Sequence, residues 1–149
     1  MNTPTILIES LDAVPAAAAA VVDAMRRAGT GIVTFDGEMG AGKTTLIRSI
    51  VRALGADGFA DANSPSFAIA NDYGRADDGR NVFHFDLYRL ENAAEAMDIG
   101  FEDYVDDPDN ICLIEWPDRA AELLPADTLR VALTLLPDGS RRVELRIKN

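Results

Sequence analysis

Basic residues are scarce in this chain of 149 residues: 14 lysines and arginines stand against 25 aspartates and glutamates, for a formal net charge of −11. Only Lys43 and Lys148 are lysines; every other basic residue is an arginine. A protein that holds DNA or RNA on its own surface needs clustered cations to displace phosphate counterions. This balance argues against a stand-alone nucleic-acid binder and against electrostatic docking on an anionic membrane. Cysteine is just as scarce. Cys112 stands alone, so no intramolecular disulfide can form and nothing points to an oxidising compartment. Long hydrophobic runs are missing too: the most apolar stretch, Val14 to Val22, stops at Asp23, far short of the roughly 20 residues of a membrane span. The start, Met1-Asn2-Thr3-Pro4, lacks the basic segment of a signal peptide. The expectation is a soluble cytoplasmic protein.

What is present is globular. Hydrophobic residues make up 48% and charged residues 26% of the chain, and the length suits one domain over 1–149. Thr5 to Ile8 reads as a short strand. Pro15 suits the first turn of a helix that the alanines carry to Ala28, with Gly29 as its stop. Gly31 to Asp36 reads as a buried strand, and the spacing of Leu46, Ile47, Ile50, Val51 and Leu54 predicts a helix ending at Gly55. Gly55 to Pro65 has the composition of a loop. Phe67–Tyr73 and Asn81–Leu87 form one expected hairpin, and Thr128–Leu136 with Arg142–Ile147 a second, around Pro137-Asp138-Gly139-Ser140. Asn92-Ala93-Ala94-Glu95 has the spacing of a capping box, and Ile111 to Ile114 is the run of a strand covered on both faces. The fold class that follows is α/β, a mixed sheet flanked by helices.

One motif carries chemistry. Gly37-x-x-x-x-Gly42-Lys43-Thr44 is a full match to the P-loop pattern, with a strand expected before it and a helix after it. Glycines let successive N–H groups turn inward around a phosphate, and the following helix adds the positive end of its dipole. The backbone from Glu38 through Met39, Gly40, Ala41 and Gly42 to Thr45 is therefore the expected cradle for ATP. Lys43 is placed to meet the β- and γ-phosphates, and the Thr44 hydroxyl to ligate Mg²⁺.

Such a site also needs an acid at the end of a neighbouring strand. Two qualify: Asp86 after Val82-Phe83-His84-Phe85, and Glu115 after Ile111-Cys112-Leu113-Ile114. Glu115 ends the more apolar strand and is assigned to magnesium. Asp86 is then free to orient or deprotonate the attacking water. Ser64 and Ser66, around Pro65, sit where many NTPases keep a γ-phosphate sensor, although a simple turn accounts for them equally. His84 reads as a packed core histidine, Trp116 as either a partner contact or a core anchor, and Arg89 and Arg119 as surface arginines.

These motifs together resemble the TsaE (formerly YjeE) family, small bacterial P-loop ATPases of tRNA threonylcarbamoyladenosine synthesis. The matching pieces run from Gly37 to Thr45, then Ser64-Pro65-Ser66-Phe67, then His84-Phe85-Asp86-Leu87-Tyr88-Arg89-Leu90. Gly100-Phe101-Glu102-Asp103-Tyr104 and Ile114-Glu115-Trp116-Pro117 follow in the family's order. The His-Phe-Asp-Leu-Tyr-Arg string together with Ile-Glu-Trp is far more specific than the loop. The resemblance implies an ATPase that is weak alone and works with TsaB and TsaD, resetting their assembly between turnovers while TsaD transfers threonylcarbamoyl to tRNA. It also implies ATP and Mg²⁺ at Lys43 and Thr44, a magnesium role for Glu115, a catalytic acid at Asp86 and a functional Trp116. Glu38, Met39 and Ser66 replace the family's usual Asp, Leu and Thr.

Three other readings start from the same loop. A small kinase for a nucleoside or metabolite is disfavoured by Glu102, Asp103, Asp106, Asp107 and Asp109, which would repel a phosphorylated acceptor. A GTP switch is disfavoured because lysines only at 43 and 148 leave no Asn-Lys-x-Asp. A non-hydrolytic ATP-dependent binding module differs from an ATPase only in whether hydrolysis is needed. Contact with tRNA is expected only through partner proteins.

Overall fold

The computed structural model describes residues 5–56 and 70–147. Its strands are β1 (Thr5–Ile8), β2 (Ile32–Asp36), β3 (Ala70–Arg75), β4 (Asn81–Asp86), β5 (Asn110–Glu115), β6 (Leu129–Leu135) and β7 (Arg141–Ile147). Its α-helices are α1 (Val14–Ala28), α2 (Lys43–Ala53), α3 (Ala93–Asp98) and α4 (Phe101–Val105), with 3₁₀ turns at Leu11–Ala13 and Pro117–Leu123.

All seven strands join one sheet in the order β1-β7-β6-β2-β5-β4-β3. β6, β2, β5 and β4 run parallel, while β1 pairs antiparallel with β7, β7 with β6, and β3 with β4. The mixed sheet and both hairpins agree with the sequence reading. The first hairpin turns tightly, with Ala76 N–H donating to the Arg80 carbonyl at 2.8 Å. The part of its first strand expected at residues 67–69, like Ser64, Pro65 and Ser66 and most of the expected loop after Gly55, lies outside the described residues.

Each helix follows from its pattern. In α1, Val14, Ala17, Ala18, Val21, Val22 and Met25 recur at helical spacing and are all buried. Its end is a Schellman arrangement, in which Thr30 N–H reaches back to the Met25 carbonyl and Gly29 closes on Arg26. In α2, Leu46, Ile47, Ile50 and Val51 face the same way. Asn92 caps α3 as its spacing predicts, its Oδ1 accepting from Glu95 N–H at 3.1 Å.

Strand alternation divides the core between the two faces of the sheet. Val33, Phe35, Leu113, Val131 and Val143 pack under α1 and α2. Ile32, Phe85, Cys112 and Ile114 pack against Ala96, Phe101, Val105 and Ala120 on the opposite face. Burial, with a smaller contribution from Asp107, pushes the Cys112 thiol up to about 12, so it stays protonated and inert at neutral pH.

Candidate nucleotide site

The chain leaves β2 at Asp36 and enters α2 at Lys43, so the loop 37–42 lies at the carboxyl end of the parallel strands. In open α/β sheets that edge is where ligands bind. Two of the loop glycines are demanded by geometry. A Cβ on Gly37 would meet the Leu133 carbonyl of β6 at 2.8 Å. Gly42, the N-cap of α2, has φ 95°, a region that side-chain-bearing residues avoid. The helix N-terminus and its unpaired N–H groups thus open beside the loop.

Lys43 is buried, and its Nζ donates to the Gly37 carbonyl at 2.8 Å. The same Nζ sits 4.0 Å from the centre of the Trp116 ring, a cation–π contact. Trp116 has φ 59° and is the only non-glycine residue with positive φ among the described residues. That conformation costs about 1–2 kcal/mol, a kind of strain that concentrates at functional sites. It turns the ring onto Lys43 and toward Tyr88, 5.0 Å away between ring centres. Trp116 is half-buried and packs against the core cluster that holds Phe85 and Phe101, as a core anchor does, and its ring also lies against the lysine. Thr44 and Thr45, in the first turn of α2, are exposed, as are Glu38, Met39 and Gly40.

The two acids are register partners. Asp86 pairs with Glu115 across the parallel β4–β5 ladder, and Glu115 pairs with Phe35 of β2. Partners in a parallel ladder point to the same face, so both acids lie on the α2 face with Phe35 and Leu113. Asp86 is exposed, and its Oδ1 accepts from Tyr88 N–H at 3.1 Å. Glu115 is buried, and its Oε2 is 2.7 Å from His84 Nε2. His84 is buried as expected of a core histidine, but its ring also holds this carboxylate, which the sequence reading missed. Tyr73 stacks on it, and Nδ1 has no partner among the described residues.

Two further departures concern arginines. Arg119, expected at the surface, is half-buried, and its Nε is enclosed without a hydrogen-bond partner among the described residues. Arg141 belongs to no motif, yet its Nε donates to the Ala41 carbonyl at 2.9 Å and its Nη2 to the Gly40 carbonyl at 3.3 Å. Nearby, burial raises the carboxyl of Asp36 above the usual carboxylate range and Asp118 adds to the shift, while Arg130, 3.7 Å away, and Lys43 oppose it.

The residues present suit a nucleotide phosphate: a glycine loop that tolerates no side chain at 37, a buried lysine inside it and a helix N-terminus behind it. They can hold a magnesium ion only in part. Among the described residues no three His, Cys, Asp or Glu side chains converge, so Thr44, Glu115 and the phosphates themselves would have to share the ion.

Comparison with known proteins identifies the fold and the family. The crystal structure of Bacillus subtilis YdiB superposes with a TM-score of 0.72 over 99% of this chain and 87% of that one, at 24% identity, and shares the fold. The tRNA threonylcarbamoyladenosine biosynthesis protein TsaE of Haemophilus influenzae is 37% identical over 114 residues, 76% of this chain and 68% of that protein. Its Bacillus subtilis counterpart is 32% identical over 112 residues, 75% of this chain and 66% of that protein. These alignments thus cover about two thirds of each relative. The family model for the threonylcarbamoyl adenosine biosynthesis protein TsaE matches residues 8–143, which include the loop, both acids, Trp116 and Arg141, and the chain belongs to the TsaE family.

Proposed function

We propose that this chain is the ATP-binding and ATP-hydrolysing subunit that drives or resets threonylcarbamoyl transfer by TsaB-like and TsaD-like proteins in tRNA threonylcarbamoyladenosine formation. The observation that carries the reading is the convergence of the glycine loop and Lys43 with the register pair Asp86 and Glu115 at one edge of the sheet. Family membership supports the pathway.

Each residue has a distinct task. Lys43 neutralises the β- and γ-phosphates, and the N–H groups between Glu38 and Thr45, apart from the Ala41 N–H that closes on the Glu38 carbonyl, cradle them. Thr44 and Glu115 hold the magnesium ion, which supplies charge neutralisation on the phosphate oxygens when bound. Asp86 is exposed and sits one strand over from Glu115, so it can orient a water or take its proton. Burial of Glu115 against His84 fixes one carboxylate oxygen and leaves the other for a ligand. Trp116 covers Lys43 and keeps water from one side of the ammonium.

Among the described residues no helix is long and apolar enough to cross a membrane. Location in the cytoplasm, where tRNA and ATP are found, belongs to the proposal. The test is reconstitution with the TsaB and TsaD proteins of the same organism. Modified tRNA should accumulate over many cycles only when this chain and hydrolysable ATP are both present. Equal yields without it would refute the proposal.

A further inference from the structure

Arg141 opens β7, a hundred residues along the chain from the loop it touches. β6 runs parallel to β2, so the β6–β7 turn at 136–140 emerges at the same edge of the sheet as the loop. From there the guanidinium reaches the carbonyls of both Ala41 and Gly40. It packs closely enough that a Cβ on Gly42 would lie 3.1 Å from Nε and 3.2 Å from Cδ.

We infer that Arg141 is a positioning residue of the nucleotide site, bracing the loop from outside so that the Gly42 N–H faces a bound polyphosphate. The inference rests on the ATP-binding reading above and adds the C-terminal hairpin to that site. A peptide unit is planar, with its C=O and N–H pointing oppositely. Holding the Ala41 carbonyl toward β7 therefore turns the Gly42 N–H away from it, into the loop. The Gly40 carbonyl is held the same way, while Ala41 N–H closes a turn onto the Glu38 carbonyl at 3.1 Å. Glycine-rich backbone has many conformations to lose, and a loop held in one of them loses less entropy on binding. Arginine suits the task because its rigid planar fork spans two acceptors, whereas a lysine offers a single point of donation. Its positive charge also lies behind the loop, favouring an anion on the other side.

Ladder pairing to Ile8 and Leu135 holds the Arg141 backbone independently of its side chain, so the two roles separate. The experiment compares Arg141→Met and Arg141→Lys with Arg142→Met, a neighbour that removes the same charge but pairs with Glu144 at 3.3 Å. Magnesium–ATP affinity is measured by calorimetry, and amide hydrogen exchange of the nucleotide-free chain is followed over residues 37–46. Arg141→Met should weaken ATP binding about tenfold and speed exchange in the loop while β6 and β7 exchange as before. Arg141→Lys should lose about threefold, and Arg142→Met should change neither quantity. Unaltered affinity and loop exchange in Arg141→Met would overturn the inference, as would an equal loss in Arg142→Met. Should Arg141→Met not fold, Arg141→Lys decides by the same two readouts. Should the unmodified chain bind no ATP, the nucleotide reading fails, and loop exchange still decides whether Arg141 braces the backbone.

Discussion

His84 Nε2 and Glu115 Oε2 lie 2.7 Å apart, on neighbouring parallel strands, and both side chains are buried. A buried carboxylate without a partner is costly, so the histidine stabilises the fold as well as orienting the acid. His84→Phe should cost about 1–3 kcal/mol in urea denaturation, the cost of an unsatisfied buried polar group. His84→Gln, which can still donate, should cost clearly less. Glu115→Gln keeps an acceptor for His84 and should stay folded, yet lose the dependence of ATP binding on magnesium. Equal stability of His84→Phe and the unmodified chain would show that the pair contributes nothing.

Lys43 and Trp116 make a second prediction. Lys43→Ala removes the cation inside the loop and should reduce ATP affinity by at least about tenfold in calorimetry. Thr44→Ala should spare affinity without magnesium and abolish the gain magnesium brings. Because the only tryptophan in the chain faces the Lys43 ammonium at 4.0 Å, ATP that draws the lysine onto phosphate should change its fluorescence. A fluorescence signal insensitive to saturating ATP would contradict that geometry.

The sign of one pH effect follows from Asp36. Its carboxyl is raised by burial, so its ionised form is disfavoured in the folded chain. The stability it contributes is fully present below the ordinary value of 3.8 and is lost as pH rises through the higher folded value. Asp36→Asn should therefore melt at a higher temperature than the unmodified chain at about pH 7, with the gap closing as pH falls toward about 4. A gap that widens on acidification would reverse the sign.

A fourth prediction concerns tRNA. With a net charge of −11, the isolated chain should not bind tRNA measurably at about 150 mM salt, because phosphate neutralisation supplies most non-specific affinity. The pathway's RNA then has to be held by partners, and those partners should associate faster as salt is lowered. Saturable micromolar binding in a gel-shift titration would reopen a direct RNA role.

How much of this was legible in the sequence depends on how local each signal is. The loop is written locally, because Gly37 and Gly42 answer demands for close approach and positive φ that glycine alone meets. The turn at Asp138-Gly139-Ser140 and the cap at Asn92 are local in the same way: Ser140 N–H donates to Asp138 Oδ1 at 2.9 Å, and Asn92 holds Glu95 N–H. Both strand-end acids could be picked out because an apolar run stops at each. Strand order could not be read, since the crossings that set β5 between β2 and β4 leave no mark on any one strand. His84 reads as core for a sound reason, being buried, but its bond to a residue 31 positions on has no sequence signature. Arg141 is one arginine among twelve, and only the parallel course of β6 carries its hairpin to the loop. A pair of arginines after a Gly-Ser turn, at the carboxyl edge of the sheet, is the one signal that points to it.

In the proposed site Asp86 acts on water while the loop holds ATP and Glu115 holds its magnesium ion. ATP turnover by the unmodified chain and by Asp86→Asn, each alone and with TsaB and TsaD from the same organism, tests it most directly. The unmodified chain should turn over slowly alone and clearly faster with the partners, and Asp86→Asn should show no partner-stimulated turnover despite ATP affinity within about twofold of the unmodified chain. Stimulated hydrolysis by Asp86→Asn at the normal rate would contradict it.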